Sequence, residues 1–159
     1  MDATTGRIVA ATLTDRAVDD ASQVGPLLDQ VTSLVAAVTG DGAYDRTEAY
    51  AAVHERYPDA RVVAPPRADA VLSDTAATAP TPRDQQIQAI ADQRRLGWQK
   101  QSGYNQRALV EGQIGRFKQV IGPMLRFHTA EAQAIEIAIA VEVLNRMLDL
   151  GSPNSVRVA

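Results

Sequence analysis

The stretch SLVAAVTGDGAYDRTEAYAAVHERYPDARVVAPP, residues 33–66, decides the fold. Its apolar start reads as a strand that runs into the turn Gly40-Asp41-Gly42. Asp45 then stands three positions before Glu48, close to capping-box spacing, and helical periodicity continues to Tyr57. The run DARVVAPP, residues 59–66, reads as a further strand, ended by two prolines. Upstream, the β-branched run GRIVAATLT, residues 6–14, reads as a strand after a Thr-Gly turn. DDASQVGPLLDQV, residues 19–31, reads as a helix, with Asp20 or Ser22 as its cap and Pro26 near its first turns. The order strand, helix, strand, helix, strand predicts an α/β unit with a mainly parallel sheet and right-handed crossovers. Ligands of such sheets collect beyond the carboxyl ends of the strands, and Asp41 sits at one of them.

From Pro65 to Pro82 the composition shifts to Ala, Pro, Thr, Asp and Ser with weak periodicity, the mark of an exposed connection. Beyond it the pattern is helical, ending in a long Ala- and Ile-rich helix over 129–151 stopped by Gly151 and Pro153. Within this half, SGYNQRALVEGQIGRFKQ, residues 102–119, keeps one stripe polar. At about 100° per residue Tyr104, Arg107, Glu111 and Lys118 share a narrow arc, with Leu109, Val110, Ile114, Phe117 and Ile121 roughly opposite as a face for a core. Taken alone, such a stripe reads as solvated surface before it reads as a site, as most polar helix faces do.

Composition narrows the chemistry. A chain of 159 residues suits one domain, and with 45% hydrophobic but 4% aromatic residues its core is built from Ala, Val, Leu and Ile. Cysteine is absent, which excludes disulfides, thiolate metal sites and a cysteine nucleophile and fits a reducing cytoplasm. No basic start followed by an apolar run opens the chain, and no apolar stretch approaches the roughly 18 residues a membrane span requires. His54 and His128 lack neighbours at ligand spacing and read as structural. Net charge is −3, yet residues 83–126 carry eight basic against three acidic side chains, a local +5 that suits phosphate.

Two carboxylates from distant segments, Asp41 and Glu111, backed by cations, would suit divalent metal and a phosphodiester. The spacing of Tyr104, Arg107, Glu111 and Lys118 resembles the Y-R-E-K signature of bacterial insertion-sequence DDE transposases. DGAYD at 41–45 resembles the block holding that family's second catalytic aspartate, PPR at 65–67 the loop after the next strand, and LNRMLDLGSP its C-terminal end. The order agrees, the resemblance covers essentially the whole chain, and the insertion-sequence-5 family is the nearest in kind.

That resemblance implies an RNase H-like fold, a partial catalytic domain over 1–159 with a strand and helix part at 1–64, an exposed linker at 65–83 and a helical part at 84–151. It implies Asp41 and Glu111 as the second and third acidic residues, holding Mg2+ in a two-metal site. Arg107 and Lys118 would contact DNA phosphate, Tyr104 would help orient the site, and Arg67 either touches DNA or fixes the exit of its strand. The implied partners are the terminal inverted repeats of a mobile element, a missing N-terminal segment or an intact transposase, and a second copy of the chain. The implied place is the bacterial cytoplasm, at the nucleoid.

The family's first aspartate lies on the first strand of its fold, and this chain is expected to begin after it, as the downstream half of a split transposase or a remnant. Asp2, Asp15, Asp19 and Asp20 sit at turns or helix starts, where capping explains them. Three rivals stand beside the transposase: a DNA-binding remnant without catalysis, a protein self-associating through the helix at 129–150, and a general nuclease. Trp98 reads either as a platform for an unpaired base or as a buried ring between helices.

Overall fold

The computed structural model describes residues 1–151. The chain divides into two units, one of residues 15–108 and one of residues 1–14 with those from 109 onward. In the first unit, a 3-10 turn at Asp20–Gln23 leads into the short helix α1 (Val24–Leu28). The cap is Asp19, whose carboxylate accepts from the Ser22 N–H. Strand β1 (Ala37–Thr39), helix α2 (Thr47–Arg56) and strand β2 (Arg61–Val63) follow. The strands pair in parallel, Val38 opposite Val62, so the stretch at 33–66 forms the strand-helix-strand unit its pattern predicts.

The core of this unit joins α1, α2 and β2 through Val24, Ala49, Tyr50, Val53, Ala60 and Val62, with Leu28, Val38 and Tyr57 against them. Small aliphatic side chains make up most of it, and Tyr44, Tyr50 and Tyr57 supply its aromatic part. Tyr50 is held from the far side by Gln86, whose amide donates to the Tyr50 hydroxyl at 2.8 Å and to the Val62 carbonyl at 2.9 Å. Burial, and after it the charge of Asp45, pushes the Tyr50 phenol up to about 12.

Three local expectations are corrected. Residues 6–14 form no strand, and among the described residues the sheet has two strands. The backbone of Ile8 is instead satisfied by one side chain: its N–H donates to Asn145 Oδ1 and its carbonyl accepts from Asn145 Nδ2, both at 2.9 Å. Asp45 does not cap α2. The cap position is Arg46, without a side-chain bond, because the Asp45 carboxylate is committed to Arg83. The long helix expected over 19–31 is broken into a 3-10 turn and a five-residue helix.

Helix α3 (Pro82–Ser102) opens on a full capping box, in which the Asp84 N–H donates to Thr81 Oγ1 and the Thr81 N–H donates to Asp84 Oδ2. Asp84 also accepts from the Ser73 N–H at 2.7 Å, tying the connection before α3 to its first turn. These bonds, led by that of Ser73, hold the Asp84 carboxyl well below the usual carboxylate range.

Midway along α3, Arg94 adopts φ 61° and ψ 164°, a region suited to glycine, and the helix kinks there. Relief of this strain is expected to make Arg94→Gly more stable by about 1 kcal/mol, since the strained residue costs about 1–3 kcal/mol. In a straight helix the same change would instead cost about 1 kcal/mol, so urea unfolding reads the sign directly.

Helix α4 (Arg107–Val120) begins in the first unit and ends in the second. In the second unit, α5 (Ala130–Leu150) is capped by Thr129, which accepts from the Ala132 N–H, and ends at Gly151 with φ 74°. Pro153 lies outside the described residues. Ala140 and Leu144 are buried, and an Arg7–Asp149 ion pair joins the N-terminal segment to the end of α5.

Candidate functional site

The site grows from the end of β1. Gly40 extends the ladder by donating its N–H to the Val63 carbonyl at 3.1 Å. A Cβ at residue 40 would fall 2.6 Å from the Tyr44 ring, so glycine is required for the turn to close. Asp41 follows, just beyond the carboxyl end of the strand. Its Oδ1 accepts from the Ala43 N–H at 2.9 Å and caps the 3-10 turn Gly42–Tyr44. Its Oδ2 lies 3.5 Å from Nη2 of Arg107. At 45% and 34% exposure the two side chains gain little from this pairing in water, of order 0–1 kcal/mol. Its value is positional: it seats an arginine over the carboxylate at the open end of the parallel strands.

The polar stripe is not carried by one helix. Gly103, at φ 80°, ends α3, and Tyr104–Gln106 is a 3-10 turn. Tyr104 packs on Trp98 with ring centroids 5.3 Å apart and planes tilted by 37°. Trp98 is 2% exposed, so the buried reading holds and its face is closed to a base. On α4, Arg107, Glu111 and Lys118 share an arc of about 40°. Glu111 and Lys118 are exposed and belong to the unit from 109 onward. The opposite face was expected to enter a core, yet no residue of α4 is buried, and Leu109, Ile114 and Val120 are 49%, 52% and 42% exposed.

Arg67 is exposed after the buried Pro65 and Pro66. It lines an open polar cleft of about 420 Å³ with Asp45, Arg46, Thr47, Glu48 and Arg83. The Pro66 carbonyl accepts from Arg95 at 2.9 Å, which fixes the exit of the strand. His54 donates from Nδ1 to the Pro58 carbonyl at 3.2 Å and closes the end of α2. Sequence reading passed over the Asp45–Arg83 pair, which spans 38 residues, and the Asn145 clamp on Ile8, which spans 137. Neither separation leaves a local signal.

As to metal, no three His, Cys, Asp or Glu side chains converge as a ligand set among the described residues. Asp41 offers one hard oxygen donor group, already shared between a backbone N–H and a guanidinium. These residues alone do not fit a two-metal centre. No helix among the described residues is long and apolar enough to cross a membrane.

No solved structure matches the chain. The family described as the transposase DDE domain matches residues 1–148, which takes in the strand-helix-strand unit, the Asp41 turn and residues 104–118. With that match spanning nearly all of its 159 residues, the chain belongs to the DDE transposase family.

Proposed function

We propose that the chain is the downstream part of an insertion-sequence-5 type transposase catalytic domain with an RNase H-like fold. It acts on the terminal inverted repeats of its element when completed by an upstream segment that brings the first aspartate. Asp41 and Glu111 are the second and third acidic residues, and Mg2+ binding belongs to the completed unit. Arg107, Lys118 and Arg67 hold DNA phosphate, and Tyr104, fixed by Trp98, sets the turn from which Arg107 projects.

One observation carries this reading: Arg107, from the Y-R-E-K segment, lies 3.5 Å from Asp41, from the DGAYD block, across 66 residues of chain. An arginine beside a metal-ligating carboxylate can both orient that carboxylate and receive the phosphate whose ester bond is cut. Arg107→Lys keeps the charge but loses the planar fork, and is expected to lower cleavage by about 10–100-fold in the completed unit.

The test combines the chain with a translated upstream segment and measures Mg2+-dependent cutting of a labelled duplex ending in the inverted repeat that flanks the reading frame. Cutting that needs both pieces supports the reading. Both pieces folded, bound to the duplex and inert overturn catalysis.

A second reading is favoured by the +5 charge of residues 83–126. In it the chain binds element ends without cutting and modulates an intact transposase. It predicts DNA binding that weakens steeply with salt and survives Glu111→Ala.

A further inference from the structure

Helix α3 consists of two helical pieces joined at one strained residue. Residues 82–93 are fixed to the sheet unit through Gln86, which reaches the Tyr50 hydroxyl and the Val62 carbonyl. Residues 95–102 are fixed elsewhere: Arg95 donates to the Pro66 carbonyl at 2.9 Å, and Trp98 is 2% exposed with its ring on Tyr104. Between them Arg94 holds φ 61° although its own side chain is exposed, so the conformation is imposed by the pieces on either side. The kink sets a condition one turn on. A Cβ at residue 97 would lie 2.9 Å from the Cβ of Gln93, whereas residues four apart in a straight helix keep their Cβ atoms about 5–6 Å apart. The obstacle is the root of a side chain, which no rotamer change removes. The kinked form therefore requires glycine at 97, and the straight form does not.

We infer that Gly97 is a positioning residue for Arg107. By admitting the kink it lets residues 95–102 turn onto the exit of β2, and that turn carries the Trp98–Tyr104 pair and, three residues on, Arg107. The path is continuous within the unit of residues 15–108 and ends with Arg107 Nη2 at 3.5 Å from Asp41 Oδ2. A straight α3, still held by Gln86, would carry Tyr104 and Arg107 away from that carboxylate. The bearing on cleavage rests on the role proposed for Arg107. The geometry does not, and the two are measured apart.

Gly97→Ala tests the inference, read first by distances that need no activity. The chain has no cysteine, so spin labels on Ala51→Cys and Asn105→Cys report where the turn before Arg107 sits against α2. Labels on Ala51→Cys and Gln88→Cys report the first piece of α3. Gly97→Ala is expected to shift the 51–105 distance by about 4 Å or more, since releasing a bend of about 20° over about 12 Å of helix displaces its end by that much. The 51–88 distance is expected to stay. Emission from Trp98, the only tryptophan, is expected to move to longer wavelength as the ring loses its cover. Combining Gln93→Gly with Gly97→Ala removes the atom that the new Cβ meets and is expected to restore both signals, which a general loss of stability could not produce. Gly115→Ala, where nothing lies within 4 Å of the added Cβ, is the control and is expected to change neither. In a completed unit that cuts, Gly97→Ala is expected to lower cleavage about 10²-fold, the cost of misplacing a group by about 1 Å, and the double variant to recover most of it. An unshifted 51–105 distance in Gly97→Ala overturns the inference, as does a double variant no better than the single. Both distances changing together also overturn it, because Gly97 then supports the fold and not the turn. A moved turn with cleavage at the parent rate overturns the positioning of Arg107.

Discussion

Glu111→Gln, made in a unit completed with the upstream segment, is expected to reduce Mg2+-dependent strand cleavage on the order of 10²–10³-fold, the scale of losing one group that stabilises developing charge. Binding of the same duplex, followed by fluorescence anisotropy, should change by less than about threefold, because removing one exposed carboxylate alters few phosphate contacts. Thermal unfolding should also be nearly unchanged, since surface substitutions stay within about ±0.5 kcal/mol. Asp41→Asn should lose cleavage to the same degree with little loss of stability, because its side-chain Oδ1 can still accept from the Ala43 N–H and asparagine caps about as well as aspartate. Loss of cutting with intact binding separates a carboxylate that does chemistry from one that only solvates a helix. A Glu111→Gln unit that cuts at the wild-type rate returns the stripe to ordinary surface.

The segment that brings Asp41 into place was readable because its signals are local and agree. An apolar run, a Gly-Asp-Gly turn, a helical period and a second apolar run ended by prolines each point to the same strand-helix-strand unit. The run at 6–14 carries the same β-branched signal, but a strand exists only through its neighbour, and here Asn145 meets the backbone instead. The stripe was legible as a spacing and misread as a single helix. Gly103 breaks the chain at φ 80°, so Tyr104 is held by a ring contact with Trp98 rather than by helical phase. Asp45 shows the limit most plainly. Its distance from Glu48 suggested a cap, while its actual partner, Arg83, lies beyond the connection at 64–81, where no periodicity links the two.

That partner carries the largest stability prediction. Asp45 has no exposed side-chain surface, and Arg83 grips it with Nε to Oδ1 at 2.9 Å and Nη2 to Oδ2 at 3.1 Å. Arg83 also donates to the Val71 carbonyl at 3.3 Å, so one side chain ties α3 to the turn before α2 and to the connection between. Arg83→Ala leaves a buried carboxylate without its cation, beside a tyrosine whose phenol that carboxylate already helps to push up. Breaking a buried pair this way costs about 3–5 kcal/mol. The lower end, about 3 kcal/mol, applies because Arg83 is 31% exposed and the pair borders an open cleft that admits water. For a chain of this size that is a fall in Tm of roughly 6–12 °C. Arg83→Met with Asp45→Asn removes the stranded charge and should cost clearly less than the sum of the single changes, the mark of direct coupling. If Arg83→Ala melts within a degree or two of the parent, the pair does not hold α3 to the sheet unit. If it melts far lower and the paired neutral variant recovers most of the loss, the penalty is the stranded charge. The grip that keeps Asp45 out of water is then also what fixes the start of α3 against the unit that presents Asp41.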